Sequence, residues 1–214
     1  MKSVDLLAFD LDGTLIDSSE DLAASVNHAL RSLGFSKLSI ETVKEFVGDG
    51  VSMLIKRALG DLANDYYTQA MELFMDYYSQ HLLDKTNLYP DVLAFLNHFK
   101  MKKKVIVTNK MKSFTLKIVD SLRVSDYFID VLGEDSTPFK KPDPRLLQLI
   151  MEKWHTAPER TIVIGDGPND VMLAQKAGAI SCALLNGITA REKLLELSPD
   201  ICCENLADLK NKIY

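Results

Sequence analysis

The sequence predicts an α/β fold: a doubly wound (Rossmann-like) parallel sheet with an all-helical block inserted after its first strand. Three observations carry that prediction. Short apolar runs of strand length recur along the chain, each is separated from the next by a stretch with helical spacing, and residues 17–84 interrupt the alternation with helical patterns alone. Strand alternating with helix is the pattern of parallel strands covered on both faces. At about 150 residues per domain, 214 residues give roughly 1.4 domains, which suits one core carrying an insertion.

In chain order, residues 4–9 form the first apolar run and lead into the turn Asp10-Leu11-Asp12-Gly13-Thr14. Asp17 or Ser18 caps a helix that runs to Leu33 and closes at Gly34, and Ser39 caps a second that reaches Phe46. A third helix follows Gly48-Asp49-Gly50 and ends near Gly60. The fourth carries Tyr67, Met71, Phe74, Met75 and Tyr78 at three- and four-residue spacing, a stripe read as core packing rather than a cofactor box. The sheet rhythm then resumes. Strands are predicted at 105–108, 128–132, 161–164 and 181–185, and helices at 90–101, 112–122, 144–154 and 171–177, the last closed by Gly178. The predicted division is a core of residues 1–16 and 85–214 with a helical cap of residues 17–84.

Composition narrows the function. Lys plus Arg at 25 against Asp plus Glu at 30 leaves a net charge of −5, the wrong sign for a chain that works by neutralising nucleic-acid phosphates. No apolar run has the length of a membrane span, and the first residues lack the basic and apolar regions of a signal peptide. The expectation is a cytoplasmic monomer or dimer with a small-molecule partner and no nucleic-acid or membrane partner. Cys182, Cys202 and Cys203 have no metal-ligand spacing and are read as small buried hydrophobes, while His28, His81, His98 and His155 are scattered without an i,i+4 pair. Lys102-Lys103-Lys104 is read as a solvated lead-in to a strand.

The residues that carry chemistry fall just beyond strand ends, where a parallel sheet places its site. They are Asp10 and Asp12 after the first strand, Thr108 and Asn109 after the second, and Asp166 and Asp170 in Gly165-Asp166-Gly167-Pro168-Asn169-Asp170, with Lys141 on the loop before a helix. Converging carboxylates repel one another unless a divalent cation neutralises them, and oxygen-only ligation suits Mg²⁺. A carboxylate-bound cation with a lysine and a hydroxyl beside it suits phosphoryl transfer. One aspartate of the Asp10/Asp12 pair can attack while the other moves protons. An EF-hand is excluded, because Gly13 and Asp21 fall where such a loop needs other residues and a strand precedes it.

Asp-Leu-Asp-Gly-Thr-Leu at 10–15, Thr108, Lys141 ahead of Pro142, and Gly-Asp-x-x-x-Asp at 165–170 resemble the four ordered motifs of the haloacid dehalogenase superfamily. The helical cap, Leu88-Tyr89-Pro90-Asp91-Val92, Thr108-Asn109-Lys110, and Phe46-Val47-Gly48-Asp49-Gly50-Val51 with Arg57-Ala58-Leu59 are similar to its phosphoglycolate phosphatase subgroup. Asp91 and Met111 depart from that pattern, away from the chemical residues. The resemblance implies Asp10 as a nucleophile that becomes an aspartyl phosphate and Asp12 as the proton donor and acceptor. Thr108 and Lys141 would hold the phosphoryl group, with Asn109 as a further substrate-binding residue, Gly48 and Gly50 as substrate contacts from the cap and Lys56 or Arg57 as further cap candidates. Mg²⁺ would be held by Asp10, the Asp12 carbonyl and Asp166, supported by Asp170. The expected activity is Mg²⁺-dependent hydrolysis of a small phosphorylated metabolite, 2-phosphoglycolate foremost. Alternatives are pyrophosphate or another phosphoester, a phosphosugar mutase, a receiver-like phospho-acceptor module, or a non-catalytic binding protein.

Overall fold

The computed structural model describes all 214 residues. Eighteen regular elements follow one another as β1 (Leu6–Phe9), β2 (Ile16–Asp17), α1 (Ser19–Ser32), α2 (Ile40–Lys44), α3 (Val51–Leu59), α4 (Ala63–Gln80), β3 (Asn87–Leu88), α5 (Val92–His98), β4 (Lys103–Val107), α6 (Lys112–Ser121), β5 (Asp130–Leu132), α7 (Pro144–Lys153), β6 (Thr161–Gly165), α8 (Pro168–Ala177), β7 (Ile180–Leu184), α9 (Arg191–Leu195), β8 (Ile201–Cys203) and α10 (Leu206–Leu209). Six strands form one parallel sheet in the order β5-β4-β1-β6-β7-β8. The strand order therefore reverses at β1, and this is the point at which a doubly wound sheet opens a crevice beyond its strand ends.

The apolar runs become central strands because both of their faces are covered. All four residues of β1 are buried, as are all five of β6. Successive side chains serve opposite layers: Leu7 and Phe9 join the larger apolar cluster, whereas Leu6 and Ala8 join a second cluster under α7 and α8. Helix boundaries follow local chemistry. Asp143 caps α7 by accepting from the Arg145 N–H at 3.0 Å, Pro144 occupies its first turn, and Gly178 ends α8 in the left-handed conformation.

Between β1 and β4 the chain leaves the sheet for α1–α4, and β2 pairs antiparallel with β3 where it departs and returns. Asp21 of α1 ties the return segment, accepting from the Lys85 N–H at 3.0 Å, the Thr86 N–H at 2.8 Å and the Thr86 hydroxyl at 2.7 Å. The helices do not enclose a core of their own. Val26, Leu54, Phe74 and Tyr78 belong to the same buried cluster as Phe9 and Ile164.

Three expectations need correction. The chain forms a sixth strand, β8, and two helices, α9 and α10, that the alternation did not announce. All three cysteines lie on strands, and Cys202 is only half-buried. Lys102–Lys104 is not a solvated stretch: Lys104 is 1% exposed, and its ammonium donates to the carbonyls of Phe99 at 2.6 Å and Lys102 at 2.9 Å. Lys102 reaches the Val4 carbonyl at 2.7 Å and Lys103 the Trp154 carbonyl at 2.6 Å. Helix-end carbonyls left without intrahelical donors supply such acceptors.

Candidate active site

The site is assembled at the carboxyl ends of β1, β4 and β6. Asp10 is the first residue past β1, where its backbone N–H still donates to the Ile164 carbonyl at 2.9 Å. The chain then turns at Gly13, which has a φ of +87°, and a Cβ there would collide with the Asp166 carboxylate. Glycine is the residue that accepts both the backbone angle and the close approach. Thr14, next in sequence, donates its hydroxyl to Asp166 Oδ1 at 2.9 Å, so the first loop positions the aspartate of the third strand.

Asp10, Asp166 and Asp170 are all buried and bring one carboxylate oxygen each within 4.8 Å of the others. Asp166 Oδ2 accepts from the Ile188 N–H at 2.7 Å. Asp170, in the first turn of α8, accepts from the Gly167 N–H at 3.0 Å, which closes the helix start and fixes the side chain. The Lys141 ammonium lies between two of the three, 2.7 Å from Asp10 Oδ1 and 2.6 Å from Asp170 Oδ1. Burial, then the charge of Asp10, pushes the carboxyls of Asp166 and Asp170 up to about 7. Burial opposes the charge on Lys141, but Asp10 and Asp170 more than offset it and hold the ammonium well above its ordinary range.

Those facts test the fit of a cation. Three buried carboxyl groups share one ammonium, two of them are held back from ionising by burial and by the charge of Asp10, and the donors are oxygen alone. A hard divalent ion suits that arrangement. The Asp12 carboxylate stands apart from this group. Lys110 grips it from both oxygens at 3.0 and 3.1 Å, and the Ser18 hydroxyl also donates to it.

Thr108 and Asn109 follow β4 and are buried beside Asp10. Asn109 works as a connector: its Oδ1 accepts from the Lys141 N–H at 3.1 Å, while its Nδ2 donates to the Gly48 carbonyl at 2.9 Å. Gly48 and Gly50 reach the site from the segment before α3, and Gly50 starts that helix at a φ of +87°. The Gly48 loop is further held by Asn169, which donates to Asp49 at 2.7 Å, and by Arg57, which pairs with Asp49 and donates to the Phe46 carbonyl at 3.0 Å. Lys56 instead lies over the Tyr67 ring, 5.5 Å from its centre. The structure thus brings together Asp10, Asp12, Thr108, Asn109, Lys141, Asp166, Asp170, Gly48 and Gly50.

The sequence alone gives no site role to Lys110, Thr14 or Asn169, and marks Ser18 only as a candidate helix cap. Lys110 reaches Asp12 because β1 and β4 are neighbours, an adjacency that the pattern of elements along the chain does not signal. Phe74 and Tyr78, read as core packing, are core and also wall the space next to Asp10 and Asp12. No helix is long and apolar enough to cross a membrane.

The haloacid dehalogenase-like hydrolase pattern matches residues 7–184 of this chain. The phosphoglycolate phosphatase of Psychrobacter arcticus (strain DSM 17307 / VKM B-2377 / 273-4) is 39% identical over 204 residues, covering 91% of this chain and 89% of its own length. That of Vibrio parahaemolyticus serotype O3:K6 (strain RIMD 2210633) is 36% identical over 217 residues, 97% of this chain and 95% of its own. Among solved structures, one described as a predicted phosphoglycolate phosphatase from Haemophilus somnus 129pt superposes with a TM-score of 0.91 at 28% identity, covering 96% of each chain.

Proposed function

The chain belongs to the haloacid dehalogenase-like hydrolases, and from that premise we propose that it is a phosphatase acting on 2-phosphoglycolate, with Asp10 as nucleophile and Mg²⁺ as its metal. The observation that carries this reading is the Asp10 carboxylate at the sheet switch point, with Lys141 at 2.7 Å and the Asp166 and Asp170 carboxylates around it. The relatives named as phosphoglycolate phosphatases, similar over nearly their whole length, support the substrate.

Asp10 would attack phosphorus in line with the ester oxygen, so that a bond forms from its carboxylate oxygen as the bond to the leaving alcohol breaks. Lys141, held by Asp170, lowers the repulsion between an anionic nucleophile and an anionic phosphate. The Thr108 hydroxyl and the N–H groups of Leu11 and Asp12, which follow β1 and make no backbone bond, would hold phosphoryl oxygens. Asp12, oriented by Lys110 and Ser18, delivers a proton to the departing alcohol oxygen and then accepts one from the water that attacks the aspartyl phosphate. Mg²⁺ bound by Asp10 and Asp166, with Asp170 in support, would supply charge neutralisation at the phosphoryl oxygens. The loop at Gly48–Gly50 and the apolar side chains of α3 and α4 wall one side of Asp10 and Asp12, while the side toward Lys141 and Asp166 opens to a wider space of about 540 Å³. Under this reading residues 17–84 act as a cap over the core of residues 1–16 and 85–214.

The test is phosphate release from 2-phosphoglycolate, pyrophosphate, β-glucose 1-phosphate and nucleotides, with Mg²⁺ and with chelator. The expected result is Mg²⁺-dependent release that is fastest for 2-phosphoglycolate. Activity that is equal across the panel and indifferent to chelator overturns the proposal.

A further inference from the structure

We propose that Lys110, with Tyr78, selects the leaving group by anchoring a carboxylate carried next to the ester carbon, so that the preferred substrates are phosphomonoesters of short 2-hydroxy acids. The proposal rests on the phosphatase reading above and assigns the residues that would make it specific.

A cavity of about 60 Å³ opens off Asp10 and Asp12. Leu22, Val51, Leu54, Phe74 and Phe114 give it an apolar wall, and Lys110 is its only cationic side chain. Room for a few non-hydrogen atoms suits a two- or three-carbon alcohol on this side of Asp10 and Asp12, whereas the wider space of about 540 Å³ that also opens off them is lined mainly by polar and charged side chains. The Lys110 side chain is 7% exposed, and its ammonium has three N–H donors, two of which serve the Asp12 carboxylate at 3.0 and 3.1 Å. The remaining donor faces Tyr78, whose ring centre is 4.9 Å from Nζ.

Tyr78 supplies the second, independent observation. It is 2% exposed, it lines the same cavity, and its Oη has no hydrogen-bond partner. Lys110 beside it cannot satisfy the phenol O–H, because an ammonium has no lone pair to accept with. Burial of a hydroxyl without a partner is unfavourable and uncommon in folded proteins. The Lys110 ammonium and a phenol O–H without an acceptor therefore face one small apolar space next to the proposed proton donor. A carboxylate has two oxygens to receive them, and a methylene between it and the ester oxygen fits the apolar wall. Lys110 would then be shared between Asp12 and the substrate.

The experiment is steady-state kinetics on the full chain with Mg²⁺, using 2-phosphoglycolate and ethyl phosphate, which replaces the carboxylate by a methyl group. The readout is the ratio of kcat/KM for the two substrates in the wild type, Lys110→Met and Tyr78→Phe. The wild-type ratio is expected to favour 2-phosphoglycolate by about a hundredfold, the size of a charge-assisted hydrogen bond made in a desolvated site. Lys110→Met should collapse that preference, and Tyr78→Phe should reduce it by about tenfold while melting no lower than wild type, since the removed hydroxyl has no partner to lose. If Lys110 serves only to orient Asp12, Lys110→Met slows both substrates by the same factor, and an unchanged ratio overturns the inference. Should Lys110→Met not fold, an unchanged ratio in Tyr78→Phe overturns it equally. A wild-type ratio near one overturns the inference and leaves the phosphatase reading standing, whereas hydrolysis of neither substrate overturns both.

Discussion

The two sides of the site are held by different forces. On the sheet side, Asp10, Asp166, Asp170 and Lys141 are fixed by short hydrogen bonds and ion pairs from Thr14, Ile188, Gly167 and one another. On the helical side, Leu54, Phe74, Tyr78 and Val51 meet the site through apolar packing, and the polar ties that reach it are those of the Gly48 loop, from Asn109, Asn169 and Arg57, and the Ser18 hydroxyl on Asp12. Directional bonds define distances closely, whereas apolar contact tolerates exchange of shape. The difference teaches that the reacting groups are set by directional bonds on the sheet side, while the leaving group meets apolar helical walls that face Lys110 from the loop after β4.

Two results would sharpen or break that contrast. The larger concerns the cation. Mg²⁺ at about a hundred times its dissociation constant should stabilise the wild type by about 2.7 kcal/mol, seen as a rise in Tm. Asp166→Asn should lose most of that rise, and an equal Mg²⁺ shift in both proteins would place the cation away from the sheet-side carboxylates. The smaller effect belongs to the loop. Arg57→Met removes a pair with Asp49 that is about one-third exposed, so the stability loss should stay under about 1 kcal/mol. Its KM for 2-phosphoglycolate should rise while kcat changes little, because Arg57 touches the loop and no catalytic group. A fall in kcat without a change in KM would show that the loop takes part in the chemistry, against the division drawn here.

The same contrast explains what could be read in the sequence. Asp10, Thr108 and Asp166 each follow a short apolar run, and a run that is buried on both faces announces a strand end and therefore a place in the crevice. The contact between Lys110 and Asp12 spans 98 positions and depends on β1 and β4 being neighbours, which the alternation of elements does not specify. Lys104 was misread because three consecutive lysines look solvated, yet its place opposite Leu7 in a strand covered on both faces points it inward, where the carbonyl of Phe99 at the end of α5 receives it. Strand β8 escaped notice because three residues are too few for a period to show. On the helical side, the stripe of α4 correctly marked burial, but periodicity alone does not tell a core wall from a cavity wall.

The claim on which the rest depends is that Asp10 carries the phosphoryl group during turnover. Rapid acid quench of the wild type with substrate radiolabelled on phosphate, followed by peptide mapping, tests it directly. The account predicts label on the peptide containing Asp10 within the first turnover, and no label and no phosphate release with Asp10→Asn. Turnover by Asp10→Asn, or wild-type turnover with no label on that peptide at any time, would contradict it.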